Sequence, residues 1–296
     1  MRLPRAVTAL PVSLSVSLSF SLALSALALS ACSTEAEMQA VDPAAQEPGS
    51  ADTPSASGEA PAPVPEGAVT TNGLVTVLDP GTGPQLCLGA IAESYPPQCS
   101  GLPLEDFDFG DVGAEEASGV TWGSYAVTGT FDGTTFTATQ STPAALYDPM
   151  AMPTEEPPGP ACESPTTTDA AKATPEAMDA TLAAASALPG LAMTWLSGNT
   201  INVAVTEDAA GAEALLRETW GGPLCVVTAE RTEAELNTIS QELQAALPTL
   251  LTSGSMAADS IDAQVVFDDG SIQAWADETY GEGLVQVSSA LVPTEG

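Results

Sequence analysis

Hydrophobic and polar positions divide the chain into five blocks. Residues 6–31 are apolar and serine-rich without a charge, and "SLSVSLSFSL" (13–22) alternates as a half-buried strand would. Residues 32–68, as in "PSASGEAPAPVPEG", have few large apolar side chains and cannot bury enough surface to fold. Residues 69–141 carry short runs of Val, Thr, Tyr, Phe and Trp between turn residues, which predicts an antiparallel β module of four or five strands. Residues 142–173 are again proline-rich and polar and read as a linker. Residues 174–296 mix helical and strand periods and predict an α+β module.

Within the β module, Asp132-Gly133 predicts a hairpin reversal, because both residues tolerate positive φ. In the α+β module, Thr174-Pro175-Glu176 starts a helix with Pro in its first turn, and Met178, Leu182 and Ala185 mark its apolar face. A hairpin follows around Ser197-Gly198-Asn199, with Ile201, Val203 and Val205 turned inward. Next come a short helix at about 209–219 and the strand "PLCVVTA". Thr232 and Glu235 form a capping box for a helix whose core stripe is Leu236, Ile239, Leu243 and Leu247.

This region repeats itself. Residues 203–227 align without gaps on residues 263–287, an offset of 60. Val205 falls on Val265, Asp208 on Asp268, Trp220-Gly221 on Tyr280-Gly281, and Leu224 on Leu284. Each copy reads strand, helix, aromatic-glycine stop, strand, with the glycine suited to a left-handed helix cap. Two such βαβ units joined by the 232–247 helix predict a sandwich with helices on one face of a sheet. Duplicated scaffold accounts for the repeat; a pseudo-twofold binding groove is the functional alternative.

The start of the chain carries the clearest address. Arg2 and Arg5 precede the apolar run, as in an export signal. Leu29-Ser30-Ala31-Cys32 resembles the bacterial lipobox: an aliphatic residue, two small residues and a cysteine. The resemblance implies cleavage before Cys32 and a diacylglycerol on its thiol, which would tether the protein to the bilayer. An ordinary secretion signal and an uncleaved anchor are the alternatives. Treated as flexible coil, the segment after Cys32 has an end-to-end distance of roughly 30–35 Å, enough to hold the folded parts off the membrane.

Charge removes one class of partner. The 296 residues hold 39 acids and 5 bases, a net charge of −34. With two of the bases ahead of Cys32, only Lys172, Arg217 and Arg231 remain against all the acids. Such a chain cannot neutralise a row of phosphates, so nucleic acid is excluded as a partner. The acidity reads as a solvated surface, with calcium binding as the alternative. The densest acidic stretch, "EDFDFGDVGAEE" (105–116), offers Asp106, Asp108 and Asp111 as metal ligands, with Glu115 and Glu116 beyond them. Asp-x-Asp opens like an EF-hand loop, but its glycine comes one residue early.

Four cysteines remain besides Cys32, an even number in a chain read as exported, and this predicts disulfides. Cys87 and Cys99 flank "LGAIAESYPPQ", whose Pro96-Pro97 makes a rigid return, so they pair. Cys162 is then left for Cys225, fastening the second linker to the strand "PLCVV". Zinc is disfavoured by the absence of His and of a close Cys pair.

Without His, Ser–His and Cys–His nucleophiles are excluded, and neither a Walker-type loop nor Ser-x-x-Lys occurs. No catalytic residue or cofactor is assigned. Trp122, Tyr125, Trp195, Trp220, Trp275 and Tyr280 occupy strand or helix positions where core packing is the default.

The segment "YAVTGTFDGTTFTAT" is similar to the closing hairpin of OB-like barrels. "CLGAIAESYPPQC" and "YGEGLVQVSSALVP" resemble uncharacterised lipoproteins of high-GC Gram-positive bacteria, which implies a location and no activity. The expectation is therefore an α+β fold, an OB-like barrel followed by a sandwich with duplicated βαβ units. Its role is non-catalytic, binding an envelope protein or small ligand on the extracytoplasmic face of the cell membrane. A carboxylate-dependent envelope hydrolase and a calcium-binding surface protein are the alternatives.

Overall fold

A computed structural model describes residues 58–110, 113–148 and 158–294. The signal segment, Cys32, most of the tether and Asp111 lie outside the described residues. So does part of the second linker.

The chain is a mixed α+β protein with three sheets and four α-helices among the described residues. Its first sheet is organised by one long strand. β1 (Val69–Thr71), β2 (Val75–Asp79), β3 (Gln85–Cys87), β4 (Leu102–Glu105) and β5 (Ala114–Ala117) precede β6 (Val120–Phe131), and β7 (Phe136–Pro143) follows it. β6 pairs with β1, β2, β5 and β7. The pairings β6–β2–β3–β4–β7–β6 close a ring of five strands, with β4 and β7 parallel. Alternate side chains of β6 face inward; Tyr125, Val127 and Phe131 join Val77, Leu86 and Phe136 in one apolar core.

Seven strands stand where four or five were expected. The extra ones, "VTT", "LPLE" and "AEEA", are only three or four residues long, and the last two are weak in strand propensity; each forms by pairing with a longer strand, β6 or β7. The predicted reversal at Asp132-Gly133 is present. Phe131 pairs with Phe136 across a four-residue loop. The Asp132 carboxylate accepts from the N–H groups of Thr134 at 2.8 Å and Thr135 at 2.7 Å, and Gly133 takes φ +100.

The second half contains α1 (Pro175–Ala185), β8 (Leu191–Ser197), β9 (Thr200–Val205), α2 (Ala209–Thr219) and β10 (Leu224–Thr228). Then come α3 (Glu233–Ala246), β11 (Leu250–Ala257), β12 (Ser260–Val265), α4 (Ser271–Tyr280), β13 (Val285–Ser289) and β14 (Leu291–Pro293). The repeat is longer than its sequence signal. Each copy is a helix, an antiparallel hairpin, a second helix and a parallel third strand. Each copy also keeps its own three-stranded sheet and its own core, around Leu216 and Trp220 in the first and Leu243 and Ile272 in the second. The single shared sheet expected from the sequence is replaced by two.

One equivalence also shifts. Leu224 pairs with Ile201, and Val285 pairs with Ile261, so Leu224 corresponds to Val285 rather than Leu284. The second copy carries one more residue between its second and third strands, 19 against 18, and its Leu284 N–H donates to Gly281 O at 3.2 Å. An ungapped alignment cannot show this, although one residue in a strand exchanges its two faces.

The helix starts follow the sequence. Thr174 caps α1 by accepting from the Ala177 N–H at 3.2 Å, and Thr232 and Glu235 form the reciprocal capping box of α3. The glycine rule does not hold for α2. Gly221 is absent from the positive-φ residues; its missing side chain instead makes room for the backbone of Asp169 and the Cβ of Lys172.

Two segments read as unstructured are packed against the fold. Ala60 packs on the core of the second repeat, and residues 158–173 lie along the first. β14 leaves the α+β half and pairs with β1, and Val266, Phe267, Ala290 and Leu291 enter the core of the β ring.

Candidate binding groove

The central strand of the first repeat's sheet is buried on both faces, for every residue of β9 is buried. Its inner face packs on α1 and α2. Its outer face meets a strap, residues 158–173. Cys162 and Cys225 are bonded with Cα atoms 5.8 Å apart. The Ala161 N–H donates to Asn202 Oδ1 at 2.8 Å, and Trp195 Nε1 donates to Gly159 O at 3.0 Å. Arg217 donates to Thr166 O at 3.1 Å and to Gly222 O at 2.7 Å. Lys172 Nζ donates to Glu218 O at 3.2 Å, and Arg231 pairs with Glu230 at 3.9 Å. Every base among the described residues is thus engaged inside the chain.

Between the two repeats lies a cleft of about 340 Å³. From the first repeat, Leu182 of α1, Ser186 at its C-terminal cap, and Leu191, Met193 and Thr194 of β8 line it. Glu233 and Asn237 of α3 and Ser255 of β11 complete the wall from the second. Thr194 Oγ1 is buried without a hydrogen-bond partner. The volume lies at the lower end of ligand clefts, about 300–1,000 Å³.

The other predicted positions serve the fold. Cys87 pairs with Cys99, the second predicted bridge. Asp106 and Asp108 are exposed on a loop whose intervening Phe107 and Phe109 turn inward against Tyr125. Asp108 Oδ1 accepts from the Gly110 N–H at 2.7 Å, and Tyr125 Oη donates to Phe109 O at 2.9 Å. The acidic stretch is thereby an in-out alternation that closes the core. Glu115 and Glu116 lie exposed on β5. Among the described residues no three acids or cysteines gather as metal ligands, and no acidic side chain is buried.

The carboxyls with displaced pKa values, Asp132, Glu176, Glu235 and Asp269, are all held down by hydrogen bonds in turns and helix starts. Burial raises the Tyr125 and Tyr280 phenols. Trp220 is fully buried and donates to Pro223 O at 2.8 Å; Trp275 and Tyr280 meet edge to face, as do Trp122 and Tyr95.

Sequence reasoning did not single out Thr194, Glu233, Asn237 or Ser255. They share no motif and meet only because the two repeats pack together. Compared with known protein families, with curated proteins and with solved structures, the chain finds no match.

Proposed function

We propose that this chain is a lipoprotein of the extracytoplasmic membrane face, anchored through a diacylglycerol on Cys32, with a non-catalytic binding role in the cell envelope. The carrying observation is a conjunction. A lipobox-like Leu29-Ser30-Ala31-Cys32 ends an uncharged run, and each of the four remaining cysteines is in a disulfide. Disulfides persist in oxidising compartments, which supports passage across the membrane. The resemblance to lipoproteins of high-GC Gram-positive bacteria, carried by "CLGAIAESYPPQC" and "YGEGLVQVSSALVP", supports the same reading.

The ring of five strands is read here as an OB-like barrel, supported by its closing hairpin at Asp132. Its binding partner is an envelope protein or small ligand, and the cleft between the repeats is the place for it. Neither the hydrolase nor the calcium alternative has a specific observation behind it. Growth with an alkyne-bearing fatty acid tests the anchor. The label should appear on the wild-type protein and vanish in Cys32→Ser; an unlabelled protein with a mature N-terminus elsewhere refutes it.

A further inference from the structure

Each repeat's sheet has two edges, and an open strand edge is a template for another strand. Of the four edges, two are closed within the chain. Thr166 bridges to Leu224 on the outer edge of β10. On β13, the Gln273 side chain imitates a strand: Nε2 donates to Val285 O at 2.9 Å and Oε1 accepts from the Val287 N–H at 2.8 Å.

The remaining edges belong to β8 and β11, and both strands border the cleft. Antiparallel alternation turns the backbone groups of Thr194 and Leu196 away from β9, as Ile201 and Val203 opposite them face β10. Ser253, opposite Ala263, is turned outward on β11 in the same way. No hydrogen bond among the described residues reaches these outward groups.

We propose that the cleft between β8 and β11 accepts an extended peptide carrying basic side chains, which adds as a strand between the two repeats. Main-chain hydrogen bonds to the two free edges give the affinity. The unpartnered Thr194 hydroxyl gains an acceptor or donor from the peptide backbone. Charge selects the occupant: Glu233 is the ionisable group in the wall, and all three bases of the described residues are engaged elsewhere. A cationic segment is drawn to this surface and an acidic one repelled.

The inference rests on the reading of this protein as a binding protein, and its test separates the two. Full-length protein in detergent is titrated with fluorescent hexapeptides that alternate Lys with Val or Thr. Controls place Glu at every Lys, or N-methylate alternate backbone amides. The Lys peptides should bind at least tenfold more tightly than the Glu peptides. N-methylation on one edge should abolish binding, and bound peptide should slow amide exchange in both 191–197 and 250–257. Glu233→Gln should weaken binding several-fold, and Thr194→Pro, which removes an outward N–H without touching the β9 ladder, should abolish it. Binding unaffected by N-methylation, protection elsewhere, or no binding by any Lys peptide overturns the proposal. Cys32 labelling of the same preparation shows independently whether the anchor reading stands.

Discussion

Arg217 Nη2 donates to the carbonyl oxygen of Thr166 at 3.1 Å, joining α2 to a strap 51 positions earlier in the chain. The same guanidinium holds Gly222 O and Glu213 Oε1, so it fixes the strap, the α2–β10 turn and its own helix together. Its planar fork matches these acceptors, and a lysine cannot reproduce them. Arg217→Ala should cost about 2–3 kcal/mol, with Arg217→Lys recovering less than half. Urea denaturation checks the cost, and faster amide exchange in residues 158–173 locates it.

The two disulfides should differ in weight. Cys162–Cys225 closes 63 positions and Cys87–Cys99 closes 12. By loop entropy they restrict the unfolded chain by about 4 and about 3 kcal/mol. Paired Cys→Ser variants, compared by urea denaturation, should show the larger loss for the first bridge.

The repeats are unequal at their shared aromatic position. Trp220 is fully buried and hydrogen-bonded, whereas Tyr280 is half-buried. Trp220→Ala should cost about 3–5 kcal/mol and Tyr280→Ala clearly less. Thermal unfolding of both variants tests the ranking.

Burial, and then the nearby Asp108 carboxylate, raises the Tyr125 phenol above its ordinary 10.0. Burial also raises Tyr280, with Glu242 adding to it. The unfolded chain therefore ionises first. Stability from this source is complete below pH 10 and is lost as pH rises from there through the folded-state pKa values. Tyr125→Phe should cost about 1 kcal/mol at neutral pH through the lost bond to Phe109 O. It should also flatten the alkaline decline, and adding Tyr280→Phe should flatten it further. Unfolding followed at several pH values measures both effects.

The α3 capping box has the opposite pH sign. Hydrogen bonds from the Thr232 N–H and hydroxyl hold Glu235 below its ordinary 4.5. Its contribution is present above that value and disappears as pH falls through the folded-state pKa. Thr232→Ala should cost about 1 kcal/mol at pH 7 and less in acid, measured by urea denaturation at both pH values.

Local rules were legible wherever one residue type answers one backbone need. Thr174 and Thr232 start helices because a hydroxyl can accept an orphan N–H, and Ile201, Val203 and Val205 face inward because strand periodicity is two. The cysteine pairing was legible because few partners existed. The acidic loop carries a second pattern that charge alone hides: Phe107 and Phe109 alternate with Asp106 and Asp108, and the packing of both rings on Tyr125 decides where the backbone runs.

The sequence by itself determined the α+β class, the four helix positions, most of the duplication and the two bridges, because propensity, capping and periodicity act over a few residues. Only the tertiary structure decided that β14 returns to β1, that residues 158–173 cover a sheet, that Leu224 matches Val285, and that β8 and β11, which have no further strand partner among the described residues, border one cleft. Those are pairings of distant backbone groups. Hydrogen bonding between main chains carries almost no residue identity, so no spacing of side chains announces it.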